Sequence, residues 1–202
     1  IKRTGGGTTE FVAEENHGDA LKVIESEFAN NYYITIDASS MKPNGTENAK
    51  LIYEFGFKID DKYKTLPAEN KGETTPVSVK VGGAAIAHLR WFQIGVGSLA
   101  YKYNDNTDPS AYKWESIKIE IDCDTKEFKY YINGEKEPAI TAVHDSISFD
   151  NLFKLQLQWW NGTKNIADVY IDNVKASYVV SHPEMIDEIS ICGTKLEEFD
   201  NK

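Results

Sequence analysis

Cysteine is nearly missing: Cys123 and Cys192 are the two thiols in 202 residues. That is too few for a disulfide framework, and their spacing matches no zinc pattern, so they form one bridge at most and are read as two free thiols. Long apolar runs are missing too. None approaches the ~20 residues of a membrane span, so no membrane insertion is expected, and the opening IKRTGGGTTE has no signal-peptide pattern. The expectation is a mature fragment or an excised piece of a longer protein. Positive charge is scarce: 22 basic residues face 32 acidic ones, for a formal net charge of −10 and a pI near 4.9. With no basic run, such a surface repels a phosphate backbone or an anionic bilayer and argues against a nucleic-acid partner. The four histidines, His17, His88, His144 and His182, are scattered without ligand spacing and are read as solvated or ordinary core residues.

What the chain does have is two-residue alternation between turn formers. Residues 20–25 (ALKVIE) read as a first strand with Leu21 and Val23 inward, and residues 31–37 (NYYITID) as a second with Tyr32, Ile34 and Ile36 on one side. In LIYEFGFKI, Leu51, Tyr53, Phe55, Phe57 and Ile59 share one face, the clearest core pattern in the chain. Short strands follow over 77–81, 86–96 and 98–103, punctuated by Gly82-Gly83, Gly95 and Gly97. WESIKIEID places Ile117, Ile119 and Ile121 inward, Asp124-Thr125-Lys126 turns the chain, and EFKYYIN returns as a hairpin. Strands at short intervals with few helix signals predict an all-β, two-sheet antiparallel sandwich of jelly-roll type, a size class in which one domain of this length is common.

The stretch over 152–180, LFKLQLQWWNGTKNIADVYIDNVKASYVV, holds the most suggestive surface. Phe153, Leu155, Leu157 and Trp159 alternate onto one face and Lys154, Gln156, Gln158 and Trp160 onto the other. Two amides and an indole behind an apolar face suit a sugar ring, whose C–H face lies on the indole while its hydroxyls pair with groups that donate and accept. The alternative is that a loop covers Trp160, or that a one-residue slip makes Trp159 the outer ring. Arg90 and Tyr33, on strands harder to register, are further sugar-binding candidates.

The hairpin IKIEIDCDTKEFKYYINGE resembles that of laminin-G-like, concanavalin A-like sandwiches, in which a strand ends in an Asp-rich turn and returns through an aromatic pair into Asn-Gly. Likewise VYIDNVKASY resembles the last strand of many carbohydrate-binding jelly rolls; with ALKVIE and LIYEFGFKI the resemblance covers most of residues 5–180, through short and degenerate motifs. It implies a concanavalin A-like jelly roll, a scaffold shared by sugar-binding modules, adhesion modules, glucanases and polysaccharide lyases, so the fold alone does not choose among them. Glu120, Asp122 and Asp124 resemble the carboxylate strand of laminarinase-type glucanases and are the acids to expect if the chain is an enzyme. Against that, Asp124-Thr125-Lys126 has turn chemistry, and neither the paired-Arg nor the Tyr-Lys-rich strand of the lyases is present. In the sugar-binding jelly rolls that VYIDNV resembles, an Asp of this strand helps hold a structural calcium. The resemblance thus implies a structural calcium at Asp172, with Glu10, Glu14, Glu15 or Asp19 as the candidate partners in an oxygen-rich shell. A bulge or strand-end turn at Asp172-Asn173 is the alternative.

After His182-Pro183, MIDEISICGTKLEEFDNK resembles the opening strands of immunoglobulin-like repeats in bacterial surface proteins. Residues 1–181 are therefore expected to form the sandwich, and 182–202 a linker and the start of a following domain, or else a tail packed back on it. The combined expectation is a non-catalytic module that binds a polysaccharide or other glycan within a larger secreted or cell-wall-attached protein. A glycoside hydrolase or polysaccharide lyase is the first alternative, and a structural or adhesion sandwich without a sugar ligand the second.

Overall fold

Two faces of unequal polarity force each strand to bury one side, and the chain satisfies this by packing two antiparallel sheets on a shared core. The structure is a computed structural model that describes residues 2–4, 8–24, 32–42, 49–59, 77–89, 93–102, 113–159, 168–180, 190–191 and 194–195. With strands numbered along the chain, sheet A runs in the order β1 (Lys2–Thr4), β4 (Tyr32–Asp37), β13 (Lys154–Trp159), β6 (Val77–Val81), β7 (Ala84–Leu89), β8 (Gln93–Val96) and β9 (Leu99–Lys102). Sheet B runs β12 (Ile140–Val143), β11 (Glu127–Ile132), β10 (Glu115–Asp122), β5 (Ala49–Ile59), β14 (Val169–Val180), β3 (Gly18–Ile24) and β2 (Thr8–Glu14). The expected all-β, two-sheet antiparallel sandwich is the architecture found. A one-turn helix, α1 (Phe149–Leu152), leads into β13. In the tail, β15 (Ser190–Ile191) pairs with β16 (Thr194–Lys195) as a separate two-stranded ladder. The rest of 182–202, and with it the expected start of a second domain, lies outside the described residues, as does Cys192.

The inward faces are those the alternation predicts. Leu51, Tyr53, Phe55 and Phe57 of β5, Ile117, Ile119 and Ile121 of β10, and Leu155 and Leu157 of β13 are buried in one core cluster together with Phe153. In β3, Val23 is buried, while Leu21 is half-buried against the core. Strands β1, β2 and β12 escape the periodicity. β2 shows why: Phe11 is 74% exposed, so this strand exists through its ladder with β3 rather than through a buried face.

Two phenols bridge the sheets inside the core. Tyr53 of β5 donates to the Leu152 carbonyl at 2.8 Å, and Tyr130 of β11 donates to the Ile86 carbonyl of β7 at 3.1 Å. Burial pushes both hydroxyls well above the ordinary tyrosine range, so they serve as donors at any working pH. His144 Nε2 lies 3.2 Å from the Tyr130 hydroxyl, and its ring meets Phe128 edge-on. Burial lowers the His144 pKa below 6.5 against a smaller upward pull from Asp145. The unfolded chain therefore binds this proton more readily. The stabilisation from neutral His144 is present above pH 6.5 and lost as pH falls from there through the lower folded value. Denaturant melts at pH 7.5 and pH 5 (about 1 unit above and about 1.5 units below the usual histidine value) should show a loss on acidification that is smaller in His144→Gln.

Candidate functional site

The outer face of sheet A is built by register. Gln156 of β13 sits opposite Thr35 of β4 and Lys80 of β6, while Gln158 sits opposite Tyr33 and Ser78. Ser78 in turn faces His88 of β7, which faces Gly95 of β8. Two cross-strand rows of hydrogen-bonding groups result, since residues in register on one face are neighbours. Gln156 Nε2 donates to Thr35 Oγ1 at 3.3 Å, and Ser78 Oγ lies 3.1 Å from His88 Nδ1. Gln158 and Ser78 are only 6% and 4% exposed although their alternation points them away from the core. Gln158 was expected on an open surface and is instead enclosed. A buried amide is tolerated only when satisfied, so it belongs to a built polar layer rather than to bare solvent. Arg90 and Trp160 lie outside the described residues. Tyr33 and Trp159 are placed through their backbones, Tyr33 opposite Gln158 and Trp159 opposite Tyr32 and Val77.

The acidic strand occupies the outer face of sheet B. Glu120 is 3.1 Å from Lys50 Nζ and 3.9 Å from Lys118 Nζ. Asp122 accepts from the backbone N–H groups of Asp124 and Thr125 at 3.1 and 2.8 Å. Burial alone would raise its pKa, but these bonds to the turn, with help from Lys50, bring it below the usual carboxylate value. Asp124 lies in the turn itself and is exposed. Asp122 thus closes the hairpin, the role that turn chemistry assigns to it.

The residues proposed for calcium are dispersed among other partners. Asp172 Oδ2 is 3.1 Å from His17 Nδ1, Glu14 pairs with Lys58 and accepts from the Trp114 indole at 3.4 Å, and Glu10 reaches Lys22 at 3.9 Å. Glu15 and Asp19 are exposed beside the β2–β3 turn. Among the described residues no group of three or more His, Cys, Asp and Glu side chains is gathered for a metal ion. The bulge considered for Asp172-Asn173 is present: the β14–β5 register shifts between Asp172 and Lys175, with Asn173 at φ +52°.

That bulge borders a cleft on sheet B that strand alternation does not announce. Its roughly 1000 Å³ are lined by His17, Gly56, Trp114, Ser116, Lys118 and Tyr131, among others. Trp114 stacks on His17 with centroids 4.2 Å apart and planes 16° apart, and its indole lies against the bare Cα of Gly56. One signal was legible: a glycine facing outward in the middle of LIYEFGFKI marks a close approach by something else. The partners, from residues 17, 114 and 131, are separated along the chain and meet only through strand order.

No protein-family model and no curated protein matches this chain. Solved structures share its fold at low identity. A sialidase superposes with a TM-score of 0.52 at 11% identity, covering 79% of this chain and 15% of its own. The binding domain of botulinum neurotoxin serotype D gives 0.53 at 13% identity, over 87% of this chain and 42% of that one. Botulinum neurotoxin type C, whose cell entry is described as dependent upon interaction with two ganglioside molecules, gives 0.52 at 12% identity over 87% and 42%. The chain spans less than half of each of these proteins, and what it shares with them is the β-sandwich.

Proposed function

We propose that the chain is a non-catalytic carbohydrate-binding module of jelly-roll, concanavalin A-like type within a larger secreted or cell-surface protein, with its site on the outer face of sheet A. The observation that carries this reading is the partly exposed row Thr35–Gln156 across β4 and β13, set beside the enclosed Gln158–Ser78 pair and the partly exposed His88 that Ser78 contacts. The Thr35 hydroxyl and the Gln156 amide both donate and accept, and Lys80, in register with Gln156, adds a donor, which is what an array of sugar hydroxyls requires. Trp160, Arg90 and Tyr33 complete the proposed site. The engagement of Asp122 in its turn and of Glu120 with Lys50 favours binding over hydrolysis. The fold company supports the ligand class: one neighbour is a sialidase and another is described with gangliosides.

A glycan array probed with the isolated chain tests the reading, followed by Gln156→Ala on whichever glycan is retained. Loss of one hydrogen-bonding amide should weaken binding roughly three- to tenfold, as a net hydrogen bond of ~0.5–1.5 kcal/mol implies. The melt should stay within ~0.5 kcal/mol of the parent, since the side chain contributes little to the core. Silence across neutral and acidic glycans would favour a structural sandwich, and release of product would make the chain an enzyme.

A further inference from the structure

The outer face of sheet B carries a groove that runs across the strands rather than along them. Its floor is a row of small or short side chains at one level: Asp172 of β14 pairs with Gly56 of β5, which pairs with Ser116 of β10. The row continues to Asn133, whose Oδ1 accepts the Ser116 N–H at 2.9 Å and whose own N–H donates to the Ser116 carbonyl. One wall is the next level of the same sheet, where Lys175, Glu54, Lys118 and Tyr131 stand in register on four adjacent strands. The opposite wall is Trp114 with His17 stacked on it.

Each part of this arrangement has a sequence cause. Gly56, itself buried, lets the Trp114 indole lie flat on the sheet at the edge of the floor; a Cβ there would come within 3.4 Å of Trp114 Cε3. Ser116 is exposed, and Asn133, at φ +52°, suits the left-handed turn that ends β11. The bulge between Asp172 and Lys175 brings Asp172 to His17 and so fixes the ring that backs Trp114. On the facing wall, Lys118 Nζ sits 3.8 Å from the Tyr131 ring centroid and Lys175 pairs with Glu54 at 3.3 Å, so the wall is ordered rather than a set of loose surface chains.

From this geometry we infer that the groove between Trp114 and Tyr131 is a second saccharide-binding site, for a short segment of a neutral oligosaccharide lying across β14, β5, β10 and β11. The charge pattern selects the ligand class. Lys175, Glu54 and Lys118 alternate in sign, so an anionic or cationic polymer meets repulsion at every second position, whereas hydroxyls gain charge-assisted hydrogen bonds from both signs. The aromatic groups flanking a polar floor provide apolar surface for ring C–H faces. Four strands at their usual spacing span about 14 Å, a length that fits several sugar units in a row rather than one ring. This site is separate from the sheet A face, and its ligand class rests on the carbohydrate reading above.

The test uses the full chain, labelled for amide NMR, titrated separately with hexaoses of β-1,4-glucose, β-1,3-glucose, β-1,4-xylose and β-1,4-mannose, and with an oligogalacturonate as a charged comparison. At least one neutral hexaose should shift the Gly56 and Ser116 amides and the Trp114 indole N–H. Tyr131→Ala should weaken that binding about tenfold, and Ser116→Tyr, which fills the floor, should abolish it while the melt of each variant stays near the parent. Unchanged affinity in both variants overturns the proposal, as do shifts confined to Thr35 and Gln156, which leave the sheet A reading intact. Groove shifts with oligogalacturonate alone overturn the ligand class. No shift on either face with any of the probes removes both sites together.

Discussion

Phe153→Ala is expected to destabilise the protein by ~3–5 kcal/mol, the cost of deleting a large aromatic side chain from a packed core. Phe153 is fully buried at the point where α1 hands the chain to β13, with Phe149 edge-on at 5.3 Å and Tyr178 tilted at 5.8 Å. It anchors the strand on which the sheet A site depends. Its backbone carbonyl also accepts the Ala38 N–H at 2.8 Å just beyond β4. The cavity left by alanine would therefore open where two strands of the polar rows are joined. Urea melts of Phe153→Ala, just before β13, and Gln156→Ala, within it, make a matched pair. The first should lose most of a marginal stability, while the second should lose affinity and little stability; the opposite pattern would mean that the faces of β13 are inverted.

Gly82→Ala should cost nearly as much, about 2–5 kcal/mol, from a left-handed backbone penalty plus overpacking. Gly82 sits at φ +57° in the turn from β6 to β7, and a Cβ there would overlap Cβ of Asn151 and fall 3.1 Å from its Cγ. The Gly82 N–H also donates to the Lys154 carbonyl at 3.2 Å, so the chain cannot swing aside without loosening the start of β13. Gly83 is the control: it has φ +87° but nothing within 4 Å of its Cβ position. Gly83→Ala should pay the conformational term alone, roughly 1–2 kcal/mol. Equal losses in the two variants would show that the Asn151 contact contributes nothing.

Cys123 shows how far composition carries. Expected outside any disulfide framework, it is a buried free thiol whose pKa burial raises to about 11. At neutral pH such a thiol stays protonated and packs as a small apolar group. Asp122, one residue earlier, resembles a catalytic acid in the sequence and acts in the structure as a turn former. The turn it caps becomes visible once the N–H groups of Asp124 and Thr125 are placed around its oxygen.

Strand alternation determined which residues face the core. That information is local, because burying one side of a pleated strand fixes the parity of every residue along it. The inward faces of β5, β10 and β13, and the all-β class that follows from them, were legible for this reason. Strand order is not local. Nothing in residues 17, 56, 114 and 131 taken separately says that they line one groove, and nothing in Ser78 and Gln158 says that they share a buried polar row. Those neighbours are chosen by which strands pair across long chain separations, a choice made by the packing of two whole sheets at once. The sequence alone therefore decided the faces and the fold class, and the tertiary structure alone decided which outward side chains meet.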